Sequence, residues 1–178
     1  INKGLDLEGG INVILQISVK DILKGLANET KNPAFNKALA DAKTNQQGNQ
    51  DYIDAFFEEA DKANLKLSDV DVFRNKNLDG IIEIGMTNKQ VQPIIKQKVN
   101  ESVESAFKVL RERIDQFGVT QPNIQLLGNS GRILVELPGA KDVDKIKRIL
   151  QTSAQLEFWV AHSDADAFGY LIQVNEAL

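Results

Sequence analysis

Ile11–Val19 reads INVILQISV, and the parity of its apolar positions decides the fold class. Ile11, Val13, Leu15, Ile17 and Val19 are all apolar, Asn12, Gln16 and Ser18 take the other parity, and only Ile14 breaks the pattern. Successive side chains of a strand point to opposite faces, so this period of two predicts a strand with one buried face. Just before it stands GLDLEGG, Gly4–Gly10, with glycines at Gly4, Gly9 and Gly10 and carboxylates at Asp6 and Glu8. A dinucleotide-binding loop carries its glycines after a strand and before a helix, where the helix N-terminus meets the pyrophosphate. Gly9 and Gly10 precede a strand instead, and no Lys-Ser/Thr pair follows them, so geometry rejects a phosphate loop. The glycines supply backbone freedom at the approach to the first strand.

After the strand, residues 20–98 change to polar, helix-forming sequence. Ile22, Leu23 and Leu26 predict a short amphipathic helix. Asn32-Pro33 reads as an N-cap followed by proline in the first turn, with Phe35, Ala38, Leu39 and Ala42 on one face. TNQQGNQ (Thr44–Gln50) is a break, and Tyr52, Ile53, Phe56, Phe57 and Ala60 form a second helical stripe. DVDVFRNKNLDGIIEIGM (Asp69–Met86) predicts a β-hairpin turning at Asp79-Gly80, with Ile82 and Ile84 on one face. Thr87 and Gln90 have capping-box spacing, and Pro93 predicts a kink or a fresh helix start.

The clearest helix comes next. Val99, Val103, Ala106, Phe107, Leu110, Ile114 and Phe117 recur at three- and four-residue steps, and Gly118 stands where a helix-ending glycine belongs. Lys108–Glu112 and Arg111–Asp115 are spaced as pairs on its outer side. In PNIQLLGNSGRILVELPG (Pro122–Gly139), Ile124 and Leu126 alternate, Gly128 to Gly131 turns, and Ile133, Val135 and Leu137 alternate again, which predicts a hairpin. Val143, Ile146, Ile149 and Leu150 mark another helix capped by Asp142. In QLEFWVA (Gln155–Ala161), Leu156, Phe158 and Val160 share a face, with Glu157 and Trp159 opposite; Phe168, Leu171 and Ile172 suggest the start of a further helix. With residues 20–98 set aside, the order is β–α–β–β–α–β. The fold class is therefore α+β, an antiparallel sheet with helices on one face in a ferredoxin-like plan, carrying a largely helical insertion after the first strand. Residues 1–19 and 99–161 would make the base, 20–98 the insertion, and 162–178 the start of a connection onward.

Chemistry finds little to work with. The net charge of −4 and pI of about 5.1 argue against a nucleic-acid surface. The chain has no cysteine, which removes disulfides, thiolate metal sites and cysteine nucleophiles. No apolar run approaches the ~20 residues that span a bilayer, so this chain is not expected to cross a membrane itself. It begins at Ile1 without Met, which reads as a piece of a longer protein. NKNLDGIIEIGM (Asn75–Met86) resembles a calcium loop through Asn77, Asp79, Gly80 and Ile82, but Asn75 stands at the first position and Met86 where a bidentate Glu belongs. Asp51, Asp54, Glu58, Glu59 and Asp61 read as the wet face of a helix, and Asp164 and Asp166 as a second acidic pair. His162 is the only histidine, and no G-x-S-x-G accompanies it. Phe56 and Phe57 are candidates for an apolar groove or for core. No catalytic residue, cofactor or metal ligand is assigned, and an enzyme is not expected.

Four ordered motifs nevertheless resemble one family. GLDLEGG before a strand, VLRERIDQFGVTQP (Val109–Pro122), ILVELPG (Ile133–Gly139) and LEF (Leu156–Phe158) are similar to the first large extracytoplasmic domain of SecD, just after its first membrane helix. The resemblance places Gly4, Leu5, Asp6, Gly9 and Gly10 in the entrance motif, and Arg111, Arg113, Gly118, Pro122, Pro138 and Gly139 in the base, as structural or hinge residues. It implies a periplasmic domain of an inner-membrane protein of the resistance–nodulation–division type, working with SecF, the SecYEG translocon and unfolded preprotein. Such a subunit assists protein export with the proton motive force, and the domain has a ferredoxin-like base and a mobile head. Residues 20–98 depart from the family pattern by their length between the first strand and first helix, and the head is expected after residue 160. The alternative from another class is a ferredoxin-like module that binds a small regulatory ligand, followed by an enzyme using carboxylates.

Overall fold

The computed structural model describes residues 10–116, 118, 121–128 and 131–139, together with the backbone of 172–176. The described chain divides into two compact units, one drawn from within Ile1–Ser18, Val103–Phe158 and Gly169–Leu178, the other from Val19–Ser102.

The first unit is built on an antiparallel sheet. Its strands are β1 (Gly10–Ile17), β2 (Asn123–Leu127), β3 (Arg132–Pro138) and β4 (Ile172–Glu176), in the spatial order β2-β3-β1-β4. The register sets Ile11 opposite Leu137, Val13 opposite Val135 and Leu15 opposite Ile133. All six side chains are buried, so the period-two pattern of both strands lands on one face. Across β3, Ile124 faces Val135 and Leu126 faces Ile133, extending that face to the β2 edge. Fully burying one such aliphatic side chain contributes roughly 1.5–3 kcal/mol. At the far end of β1, the Ile17 N–H donates to the Gly131 carbonyl at 2.9 Å. Gly131 has φ +70°, and a Cβ there would stand 3.4 Å from the Ile17 carbonyl oxygen, so the turn between β2 and β3 requires glycine.

The second unit is helical: α1 (Val19–Leu26), α2 (Pro33–Asn45), α3 (Tyr52–Lys62), a 3-10 turn (Lys76–Leu78) and the first half of α4 (Asn88–Gln116). Asn32 caps α2 as its spacing implies, its Oδ1 accepting from the Phe35 N–H at 3.1 Å with Pro33 in the first turn. Phe35, Phe56 and Phe73 meet edge to face, with ring centroids 5.4 to 6.4 Å apart, and all three are fully buried. Leu23, Leu26, Leu39, Leu67 and Leu78 are also fully buried in this unit.

Several expectations are corrected. Val19 does not extend the strand but opens α1. Asp69–Met86 forms no hairpin; it is a run of turns around the 3-10 turn, with Ile82 buried and Ile84 exposed rather than sharing a face. The reason is local hydrogen bonding. The Asn75 side chain accepts from the Asn77 N–H at 2.9 Å, and the Leu78 carbonyl accepts from both Ile81 and Ile82 N–H at 3.1 Å, which leaves no strand ladder to form. Pro93 neither ends nor restarts α4, which runs through it as one element. An interior proline costs about 3 kcal/mol. Val91, Ile95 and Val99 are buried on both sides of it, each at roughly 1.5–3 kcal/mol, and together they outweigh that cost. Ile172 begins a strand, not a helix, because pairing with β1 satisfies backbone groups that β1 would otherwise leave open. Lys108, Glu112, Arg111 and Asp115 are exposed as expected, but neither spaced pair closes into an ion pair among the described residues. The helix expected over Val143–Leu150 with Asp142 as cap, the strand over Leu156–Val160, and Phe117, His162, Asp164, Asp166 and Phe168 lie outside the described residues.

Candidate functional site

Five of the family-motif positions, Gly10, Gly118, Pro122, Pro138 and Gly139, fall at the ends of elements. Gly10 is the first residue of β1 and pairs in register with Pro138, the last residue of β3, with Gly139 following at φ +71°. At the corner from α4 to β2, the Gly118 N–H donates to the Asp115 carbonyl at 3.2 Å with φ +68°, as a helix-ending glycine does. Gln121 is also left-handed, at φ +56°, and Pro122 then leads into β2. Arg111 is exposed on α4 and Arg113 is half-buried on the same helix. Gly4, Leu5, Asp6 and Gly9 lie outside the described residues. The structure thus brings Gly10, Pro138 and Gly139 together at one end of the sheet and places Gly118 and Pro122 at a separate corner. These are backbone-shaping positions, with no reactive group among them.

In the helical unit the calcium-loop reading fails on its own amides. The Asn75 Nδ2 donates to the Leu26 carbonyl at 2.9 Å and the Val72 carbonyl at 2.7 Å, and the Asn77 Nδ2 donates to the Gly25 carbonyl at 3.0 Å. The Gly25 and Leu26 carbonyls stand in the last turn of α1, so both side chains cap that helix and fix the loop to it. Asn88 plays a similar part: its Oδ1 accepts from the Leu67 N–H at 2.9 Å, while its Nδ2 donates to the Leu65 carbonyl at 2.9 Å and to Asp61 at 2.7 Å. Neither role is visible in a periodicity, because Asn88 and Asn75 stand at the borders of periodic segments. Among the described residues there is no group of three His, Cys, Asp or Glu side chains able to hold a metal ion.

The acidic stripe of α3 is less uniformly wet than expected. Asp54 pairs with Lys96 of α4 at 2.5 Å, and Glu59 is buried, receiving Lys62 at 2.6 Å and Asn45 at 3.2 Å. The hydrogen bond from Lys62, and then that from Asn45, holds the Glu59 carboxyl below its ordinary pKa, against the burial that pushes it up. Glu101 is lowered likewise, first by Lys98 and then by Gln97. Burial raises the Tyr52 hydroxyl, which donates to the Leu39 carbonyl at 2.6 Å and stays protonated. The Glu59 and Glu101 shifts stabilise the folded chain at neutral pH, and none of the three groups is poised to trade protons there. Phe56 and Phe57 are buried core, which removes the groove reading. The exposed large aliphatic side chains among the described residues are Val70, Ile81 and Ile84, all in the link between α3 and α4.

Comparison with known proteins identifies the sheet unit. Residues 103–163 match the family described as protein translocase subunit SecDF, P1 domain, N-terminal. The matches support a SecD P1 domain fragment. It is 38% identical over 158 residues to a protein translocase subunit SecD of Rhodothermus marinus, covering 87% of this chain and 24% of that protein. A SecD of Desulfurispirillum indicum is 30% identical over 187 residues, covering 98% of this chain and 35% of the relative. One from Anaeromyxobacter dehalogenans is 45% identical over 64 residues, 36% of this chain and 10% of the relative. The chain therefore spans about a quarter to a third of the length of the SecD relatives that it matches along most of its own length. No solved structure matches it. The SecD match begins at residue 103, and Val103 is also where the sheet unit resumes after the helical one. No helix among the described residues is long and apolar enough to cross a membrane.

Proposed function

We propose that this chain is the periplasmic first domain of a SecD or SecDF-type subunit that assists Sec-dependent protein translocation across the inner membrane. In this reading the parent protein works with SecF and SecYEG on unfolded preprotein and draws on the proton motive force through membrane segments outside this chain. The domain does no bond chemistry; it transmits motion and holds its neighbours in place. The SecD P1 match over residues 103–163, most of which fall within the sheet unit's share of the chain, is the observation that carries the proposal. The strand order β2-β3-β1-β4, with the first strand central beside the third, supports a ferredoxin-like split-βαβ base drawn from residues 1–19 and 99–161, with its fourth strand supplied by Ile172–Glu176 of the segment expected only to lead onward. Residues 20–98 are then an insertion between the first strand and the second half of α4. Gly10, Gly118, Pro122, Pro138 and Gly139 shape the joints of that base, with Gly4, Leu5, Asp6 and Gly9 as the hinge leading into it and Arg111 and Arg113 on its helix.

The test is a chimera. Residues 1–178 replace the corresponding segment of a SecD relative in cells depleted of their own SecD, and conversion of a secreted precursor to its mature form is followed by pulse-chase. Restored processing is expected. Precursor that accumulates as in depleted cells, with the chimera present at normal level in the membrane, would overturn the proposal.

A further inference from the structure

The link between α3 and α4 is neither core nor ordinary surface. A long connection without regular structure is uncommon inside a compact unit and usually serves a function. This one is fastened on itself: the Ser68 hydroxyl donates to the Met86 carbonyl at 2.8 Å, and the Ser68 carbonyl accepts from the Arg74 Nε at 3.2 Å. Asn88 holds Leu65 and Leu67, and Leu78 and Ile82 are buried. From this fixed backbone Val70 stands 59% exposed, Ile81 38% and Ile84 80%. From Ala63 to Lys89 the chain carries four basic and four acidic residues. Lys66, Lys76, Lys89, Asp79 and Glu83 are exposed, and none of the five forms an ion pair among the described residues.

Unpaired charges of both signs around exposed aliphatic side chains have the make-up of an interface, an apolar centre with a polar rim. The charge balance decides its occupant. A partner of uniform charge, whether an acidic or basic polypeptide or an anionic lipid surface, is repelled by as many of these groups as attract it. A second copy turned about a twofold axis brings the same groups in equal number, so each acidic residue can meet a basic one. We infer that the link between α3 and α4 is a self-contact site through which two copies of this chain associate. Val70, Ile81 and Ile84 supply its apolar centre, and Asp79 and Glu83 of one copy pair with Lys76 and Lys89 of the other. The patch is small, so the dimer is weak and reversible. The inference goes beyond the translocation reading and does not rest on it.

The test is sedimentation equilibrium of the 178-residue chain over a wide range of concentration. The wild-type chain should show a reversible monomer–dimer equilibrium that added salt weakens. The double variant I81S/I84S should associate about tenfold more weakly with an unchanged melting temperature, since both side chains are exposed. D79K/E83K makes the rim basic, and K76E/K89E makes it acidic. Each alone should lose the dimer, and an equimolar mixture of the two should recover it, which gives a second reading if I81S/I84S misfolds. A wild-type chain that stays monomeric, sedimentation beyond a dimer, undiminished association of folded I81S/I84S, or a mixture that associates no better than its components would each overturn the inference.

Discussion

The two units of this chain solve the same problem, satisfying a backbone while burying apolar side chains, by different means. The sheet unit does so with a ladder. Ile11, Val13 and Leu15 of β1 meet Leu137, Val135 and Ile133 of β3, and register alone sends each side chain to its face. The helical unit leaves a long stretch between α3 and α4 with no ladder and satisfies it by side-chain amides. Asn75 and Asn77 reach the end of α1, and Asn88 reaches Leu65, Leu67 and Asp61. A ladder distributes stability over many equivalent bonds, whereas amide clamps concentrate it in a few. Single substitutions should therefore be felt unevenly across the molecule.

The largest effect is expected at the aromatic cluster. Phe56→Ala removes a fully buried ring that touches Phe35 and Phe73, and large-to-small changes of this kind cost about 3–5 kcal/mol. Urea denaturation followed by hydrogen exchange should show amide protection falling first in α2 and α3. Protection lost first in β1 and β3 would break the distinction between the units. Next comes Asn88→Ala, which strands the Leu67 N–H and the Leu65 carbonyl; roughly 1–3 kcal/mol should be lost, read from the urea midpoint. A change below the error of that measurement would mean that water replaces the clamp. Asn32→Ala removes the α2 cap and should cost about 1 kcal/mol, largely recovered by Asn32→Ser.

A smaller effect should appear only in acid. The folded Glu59 pKa lies below the ordinary value of 4.5, so its contribution is fully present above that pH. It shrinks as pH falls, because the unfolded carboxylate protonates first, and it is gone once pH passes below the folded pKa. Glu59→Gln should flatten this part of the melting-temperature profile without changing its sign elsewhere. Smallest of all, Ile84→Ser should shift stability by no more than about 0.5 kcal/mol, since its side chain already faces water.

How far the sequence announced this arrangement also divides by unit. The alternation in Ile11–Ile17 and Ile133–Leu137, the Asn32-Pro33 start and the Gly118 stop were all legible, because each expresses a local rule that tertiary packing did not overturn. Asp69–Met86 was not. Its Ile82-x-Ile84 spacing mimics a strand, while the bonds that decide it come from Asn75 to an adjacent turn and to the distant end of α1. The pairing of Ile172–Glu176 with β1 was equally hidden, since a partner far along the sequence sets it. The fresh helix start offered at Pro93 is absent because buried neighbours on both sides outweigh the local rule. As for the candidate site, the joint residues were marked by the family motifs, whereas the Asn75, Asn77 and Asn88 clamps were not, because their partners lie far along the chain.

The most direct test contrasts the two units by breaking one at a time. Native-state hydrogen exchange is followed in Phe56→Ala, at the centre of the aromatic cluster, and in Val135→Ala, at the centre of the sheet's buried face. The account predicts that Phe56→Ala lowers protection first in α2 and α3, and Val135→Ala first in β1 and β3. Equal loss in both units from either substitution would contradict it.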